Sequence, residues 1–287
     1  MKPSAFEYVR AATIREAVDG LVRHGDQAKL LAGGQSLIPL MNFRLAAPEV
    51  LIDIGHIDEL DFIRVDGDAL VIGAGTRHNT VLSSELVRDA CPLLREAYSN
   101  VSHHNVRNRG TIGGNVCHHD PASEVPLALT LLEATFELAG PEATRSVPAD
   151  SFFVDLLSTA VKTNEILTEI RIPRQGANEN YGFIEVSQRK GDYAIVGAGC
   201  RFTAADSKFA NVRLGFVGAG PRIKRIAKAE EALEGQPISD ETIGVATDIA
   251  QQAAEPSADV QADVAYKRDL VKSLGARVLR IARDRAA

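Results

Sequence analysis

Apolar positions along the first part of the chain switch repeatedly between a helical and an extended spacing. Ile14, Ala17, Val18, Leu21 and Val22 recur at helical intervals, behind Thr13 and Glu16 at capping-box spacing and ahead of Gly25, so a helix is predicted there. A short apolar strand over 29–32 runs into Gly33-Gly34-Gln35-Ser36, with Ser36 placed to cap a short helix over 37–45. Residues 50–54 read as a strand, and 62–65 and 69–72, joined through Asp66-Gly67, as a β-hairpin. Helices are predicted over 79–87, 92–98 and 124–132, the last tolerating Pro126 because it lies near the start. Between them come a polar, basic loop at 103–110 and a glycine turn at 111–115. Strands at 135–138 and 166–172, the second stopped by Pro173, complete this part.

The pattern then changes. Residues 174–180 are polar and contain Gly176, which makes them the expected linker. Three longer strands follow, over 182–188, 194–203 and 212–217, and then helices over 226–233, 240–253 and 264–282. Strands first and helices afterwards predict an α+β domain, a three-stranded sheet with helices on one face.

Composition narrows the function classes. At 287 residues and 45% hydrophobic, the chain can bury a core without disulfide or metal staples. Its net charge of −6, with scattered basic residues, argues against a nucleic-acid partner. The longest uncharged stretch, 30–43, is 14 residues and is broken by Gly33, Gly34 and Pro39. An integral membrane segment needs about 20 apolar residues, so none is expected. The start, MKPSAFEYVR, has neither an apolar h-region nor a small-residue cleavage site, and a cytoplasmic location is the expectation. Cys91, Cys117 and Cys200 are far apart and form no C-x-x-C, so no local zinc or iron–sulfur site is expected.

The common nucleotide and hydrolase fingerprints are missing: no complete G-x-G-x-x-G, no Walker A sequence, no H-E-x-x-H and no G-x-S-x-G. Two glycine pairs remain, Ala32-Gly33-Gly34-Gln35-Ser36 and Thr111-Ile112-Gly113-Gly114-Asn115. Consecutive glycines let successive backbone N–H groups turn toward one point, and such a nest binds anionic oxygen. Gln35, Ser36, Thr111 and Asn115 add neutral donors suited to a diphosphate. Two nests converging from separate segments would clamp a dinucleotide; the other reading is two tight turns.

Five segments in this order carry a resemblance: LLAGGQSLIPLMNFRLA, VLIDI, VRNRGTIGGNVCHHDPASEVPLAL, EILTEIRIP and QRKGDYAIVGAG. Together, over nearly the whole chain, they resemble the medium, FAD-binding subunit of the molybdenum hydroxylase family, to which the xanthine and carbon monoxide dehydrogenases belong. The resemblance implies an α+β chain with a two-lobed FAD-binding domain of the vanillyl-alcohol-oxidase type over 1–174, in lobes of about 1–55 and 56–174, followed by a C-terminal domain over 178–287. It implies that Leu31, Ala32, Gly33, Gly34, Gln35, Ser36 and Leu37, with Thr111, Ile112, Gly113, Gly114 and Asn115, hold the FAD diphosphate and ribityl chain. Glu124 falls on an acidic FAD-binding position, and Leu167 would pack near the adenosine or diphosphate end. Lys190 and Tyr193 lie in the segment that reaches the flavin ring, while Asp120 sits beside the second glycine pair with His118. Arg107 and Arg109 lie either at a subunit boundary or in a solvated loop.

The function so implied is that of an electron-transfer flavoprotein subunit. Electrons would pass from [2Fe-2S] clusters of a small partner subunit through FAD to an external acceptor. Molybdopterin would sit on a large partner subunit, in a dimer of heterotrimers. No catalytic acid or base is expected in this chain. The alternative is a free-standing FAD-dependent oxidase or reductase of the same fold.

Overall fold

The structure, a computed structural model, describes residues 2–285; Met1, Ala286 and Ala287, at the outer limits of the expected domains, lie outside them. The chain opens on a three-stranded parallel sheet of β1 (Glu7–Arg10), β2 (Ala28–Leu31) and β3 (Val50–Asp53), with β3 in the middle. The first crossover is α1 (Ile14–His24), formed as its sequence predicts: Thr13 accepts from the Glu16 amide at 3.1 Å, and Gly25 leaves the helix at φ 53°. Ala17, Val18 and Leu21 bury the apolar stripe of α1 in the same cluster as Val50 and Ile52. The second crossover contains α2 (Leu37–Asn42), and here Ser36 sits at the cap position without a capping hydrogen bond. Both loops that leave β2 and β3 emerge at the carboxyl ends of parallel strands, the edge at which open α/β sheets bind ligands.

A five-stranded antiparallel sheet follows, ordered β4 (Ile63–Asp66), β5 (Ala69–Gly73), β10 (Ile166–Pro173), β6 (Thr135–Ala139) and β7 (Thr144–Pro148). The sequence pattern missed β7 because it is an edge strand with only Val147 buried, so no alternation marks it. The helix predicted over 79–87 is two, α3 (His78–Ser83) and α4 (Glu85–Ala90), divided where Ser84 turns extended and caps the second. Next come α5 (Pro92–Tyr98) and α6 (His104–Arg107), a helical turn within the predicted loop. The predicted glycine turn is instead the first turn of α7 (Ile112–His118), with Thr111 as its cap.

Every residue of α8 (Glu124–Leu131) is buried, which is why its apolar run shows no one-sided stripe. Its Leu127 and Leu131 lie against Gly199 and Gly215 of the C-terminal sheet. The short α9 (Ala149–Phe152) leads into a two-stranded hairpin, β8 (Phe153–Asp155) and β9 (Ser158–Thr159).

The expected linker is a brief, anchored connection. Gln175 donates its amide to Ala90 at 2.8 Å and accepts from Leu93 at 2.7 Å. The last sheet contains β11 (Glu179–Ser187), β12 (Ala194–Ala205), β13 (Lys208–Val217) and β14 (Lys224–Arg225), in that order and antiparallel. The predicted three strands thus gain a two-residue fourth, too short to carry a periodic signal. The helices α10 (Ala227–Leu233), α11 (Asp240–Ala253) and α12 (Val264–Asp284) share one hydrophobic cluster with this sheet. Glu133, just past α8, joins the regions by accepting from Arg201 of β12 and, at 2.7 Å, from Arg213 of β13.

Candidate functional site

A cleft of about 760 Å³ opens at the carboxyl ends of β2 and β3. One wall runs from Leu31 to Asn42, a second from Asp53 to His56, and Arg77, Asn108 and Arg109 form the third. Gly33 sits directly on the third wall: a Cβ there would lie 2.2 Å from the Arg109 carbonyl oxygen. Gly34 has φ +71°, the left-handed region that glycine enters without steric cost. Among the described residues, no protein acceptor takes the N–H groups of Gly33, Gly34, Gln35 or Ser36. The Gln35 side chain donates to the Gly33 carbonyl at 3.1 Å, which fixes the loop from within.

The other two walls are braced by charge. Asp53, buried at the end of β3, accepts from the Tyr8 hydroxyl and from the Gly55 amide at 2.8 Å. Arg77 donates to the Arg109 carbonyl and, at 3.3 Å, to the Gly55 carbonyl, so it ties the second wall to the third. A row of free amides beside Arg77 and Arg109 is suited to an anion with several oxygen atoms.

The second glycine pair differs from the expected nest. Thr111 Oγ1 accepts from the Gly114 amide at 3.0 Å, and the amides of Ile112 and Gly113 donate to the carbonyls of Thr76 and Ala74. These amides are therefore engaged within the protein. The missing side chain of Gly113 lets α7 close on Ala74, whose carbonyl oxygen would stand 2.6 Å from a Cβ. That of Gly114 faces Ala32, whose Cβ would be 3.8 Å away, so the two pairs do meet. Asn115 and Ser123 hydrogen-bond each other through their side chains at 2.8 and 3.1 Å, linking α7 to the start of α8.

At that start a second group of predicted residues gathers. Glu124 is 7% exposed, and burial, followed by repulsion from Glu185 and Asp120, pushes its carboxyl up to about 8. Burial likewise raises Glu185 to about 7. Asp120 accepts from the Ala122 amide at 2.9 Å. Tyr193 is 59% exposed; loss of solvation at its hydroxyl, then Asp120 and Glu124, raise its pKa. Lys190 is exposed in the turn between β11 and β12, where Gly191 (φ +90°) lies against Ser102. Leu167 is buried in the main core between strands and does not line the cleft.

Sequence reasoning missed Asp53, Gly55, His56 and Glu185, and gave Arg77 no role. It also weighed His118 where His119 is the engaged ring. His119 is fully buried at φ 48°, with Nδ1 3.0 Å from the Ser158 carbonyl and Nε2 accepting from the Ile223 amide. Only the Asp53-x-Gly55 turn behind a strand carried a local signal, an Asx-type bond to the backbone two residues on.

Known proteins match the chain from end to end. The family "FAD binding domain in molybdopterin dehydrogenase" matches residues 4–175, and "CO dehydrogenase flavoprotein C-terminal domain" matches 182–282. The carbon monoxide dehydrogenase medium chain of Hydrogenophaga pseudoflava is 37% identical over 287 residues, covering 100% of both chains. The 6-hydroxypseudooxynicotine dehydrogenase complex subunit alpha of Paenarthrobacter nicotinovorans is 34% identical, covering 100% of this chain and 97% of its own. In three dimensions, a solved carbon monoxide dehydrogenase from H. pseudoflava, which lacks the Mo-pyranopterin moiety of the molybdenum cofactor, superposes with a TM-score of 0.98 at 38% identity, covering 100% of both chains. With a cleft suited to a polyanion and both of its parts matched, the chain belongs to the FAD-binding medium subunits of the molybdenum hydroxylases.

Proposed function

We propose that this chain holds FAD with the diphosphate on the free amides of Gly33–Ser36 and the ring end toward Tyr193, Glu124 and Lys190. The observation that carries the reading is that row of unengaged amides, flanked by Arg77 and Arg109 at the ends of parallel strands. Leu31–Leu37, Asp120 and the side of Thr111–Asn115 that meets Ala32 complete the contact set in this reading, with the Thr111 hydroxyl engaged as a helix cap and Leu167 supporting from the core without touching the cleft. The division into two lobes of the vanillyl-alcohol-oxidase type, about 1–55 and 56–174, and a C-terminal domain over 178–287 belongs to the same reading.

FAD, when bound, supplies a carrier that exchanges electrons singly or in pairs. The tasks left to the protein are to orient it, shelter it and set the charge around it. Arg77 and Arg109 offset diphosphate charge, and the Arg77 bridge to Gly55 keeps the walls at a fixed spacing. In the complete assembly, electrons arrive from [2Fe-2S] clusters on a small partner subunit, after substrate oxidation at the molybdopterin of a large one. They leave to an external acceptor. The assembly is a dimer of heterotrimers in the cytoplasm.

The test is flavin content of the purified full chain. One FAD per chain, released by acid precipitation, is expected, because the site offers amides and guanidinium groups for a reversible hold. Colourless protein that also fails to take up added FAD refutes the reading. Co-purification with two further subunits separates it from a free-standing FAD oxidase.

A further inference from the structure

Arg107 closes α6 and turns its side chain back on the approach to its own helix. Its Nη1 donates to two backbone carbonyls, Val101 at 2.8 Å and Ser102 at 2.6 Å. Its Nε is buried without a hydrogen-bond partner. Withdrawing part of a guanidinium from water to serve two carbonyls is costly. What it fixes is Ser102, which holds φ 44°, the left-handed region that a serine enters only against steric resistance. Such a backbone persists where its surroundings over-determine it, and charge-assisted hydrogen bonds are the stronger kind.

The carbonyl so fixed is the surface on which a second segment rests. Gly191, at φ +90°, lies so close that a Cβ would stand 2.8 Å from the Ser102 oxygen and 2.9 Å from His103 Nδ1. In the same contact His103 Nε2 is 3.8 Å from the Asp192 carboxylate. Asp192 closes the turn by donating its amide to the Arg189 carbonyl at 3.0 Å, and Ser187 Oγ donates to that carbonyl at 2.9 Å. Tyr193 follows directly, more than half exposed, and its hydroxyl makes no hydrogen bond to another described residue. The backbone of the turn, rather than the phenol, therefore sets where that side chain stands.

Resting on the FAD reading above, which puts the ring end at this turn, we propose that Arg107 is a positioning residue for the segment 189–193. It locks the Ser102 carbonyl, the locked carbonyl seats Gly191, and the seated turn holds Lys190 and Tyr193 at the ring end. Arg107 does not line the cleft, whereas Asn108 and Arg109, next along the chain, form part of its third wall. One short helix thereby serves both ends of the site. The residues that follow it stand at the anion end, and its last side chain acts through Ser102 at the other.

The chain contains no tryptophan, so Tyr193→Trp in the full chain places a single indole reporter at the turn. Without FAD, adding Arg107→Met to this parent should lower the indole anisotropy and speed its quenching by acrylamide. Arg107→Lys, which keeps a charged donor for the two carbonyls, should leave both near the parent values. Gly191→Ala disturbs the same contact from the other side and should loosen the indole as Arg107→Met does. Combining the two should add little, since both remove one interaction. An indole as ordered with Arg107→Met as without it overturns the proposal. So does one as loose with Arg107→Lys as with Arg107→Met, because packing rather than hydrogen bonding is then at work. Should Arg107→Met fail to fold, a loose indole with Arg107→Lys or an ordered one with Gly191→Ala overturns the proposal by itself. Titrating FAD into the parent tests the premise separately: bound flavin should quench the indole, and less so with Arg107→Met. FAD that binds without quenching refutes the ring placement, while the measurements without FAD still judge Arg107.

Discussion

At Gly33-Gly34 the chain leaves a parallel strand with its amides engaging no protein acceptor, whereas at Gly113-Gly114 it enters a helix with the amides of the first turn all taken. The two sequences look interchangeable, and the neighbouring elements make them different. After β2 the loop departs from the sheet with nothing left to pair with, so its N–H groups are available to a ligand. Before α7 the chain carries Thr111, whose hydroxyl takes one amide, and it runs beside Ala74 and Thr76, whose carbonyls take two more. Consecutive glycines therefore permit either an anion nest or a close helix contact. What surrounds them decides which is built.

The largest effect that bears on this contrast is acid lability of the second region. His78 supports it from behind, donating its backbone N–H to the Gly110 carbonyl at 3.0 Å, with its ring nitrogen 3.3 Å from the Tyr98 hydroxyl. Burial first, and then the charges of Arg107 and Arg77, hold its pKa down to about 4. An unfolded histidine takes a proton near its ordinary value of ~6.5, so the unfolded state gains protons first as pH falls. The contribution of His78 is intact above that value and is lost progressively as pH falls to about 4. The full loss is roughly 3 kcal/mol. Glu124 and Glu185 act in the opposite sense: being raised, they contribute stability at low pH that is lost as pH climbs through about 7 to 8. Urea unfolding across this range should show wild type losing stability relative to His78→Gln on acidification. Parallel pH profiles for the two proteins mean that His78 is not held neutral.

Next in size is Gly33→Ala. Its Cβ would meet the Arg109 carbonyl oxygen at 2.2 Å and the Gly110 Cα at 2.6 Å, backbone atoms that cannot swing aside. Overpacking of this sort costs ~1–3 kcal/mol, which corresponds to about 10- to 100-fold in FAD affinity if the walls part to admit it. Gly34→Ala meets only side chains, Ile38 at 3.2 Å and Leu31 at 3.3 Å, and pays mainly for its positive φ. It should weaken FAD binding less. Fluorescence titration with FAD ranks the two, and the reverse order means that the contact between the first and third walls does not shape the nest.

Much of this was legible in the sequence, for reasons that can be named. Thr13, Glu16 and Gly25 bracket α1 because capping is local chemistry, and β11 to β13 were visible because long strands repeat their pattern. The edge strand β7 and the two-residue β14 bury too little to leave a pattern. Within the site, Gly33 and Gly34 could be picked out as free-turning residues, but amide availability at 111–115 depends on Ala74 and Thr76, which no spacing rule connects to them. Arg77 was similarly opaque: its role comes from reaching two carbonyls, at 55 and 109, that only the fold brings together. Glu185 carried no signal within its own strand, because only the fold brings it near enough to α8 to act on Glu124.

The smallest effect tests the contrast most directly. Thr111 Oγ1 accepts from the Gly114 amide, so in this structure the hydroxyl acts as a helix cap. Thr111→Ala should then cost about 1 kcal/mol of stability, the usual worth of a cap, and Thr111→Ser should restore most of it. FAD affinity should change by only a few-fold, because the hydroxyl is engaged and α7 keeps its place through Ile112, Gly113 and their carbonyl partners. Denaturant midpoints report the first quantity and FAD titration the second. Should Thr111→Ala leave the midpoint in place and still weaken FAD more than tenfold, the hydroxyl is a ligand to the cofactor. The second glycine pair would then bind FAD as the first does, and the difference drawn between them would collapse.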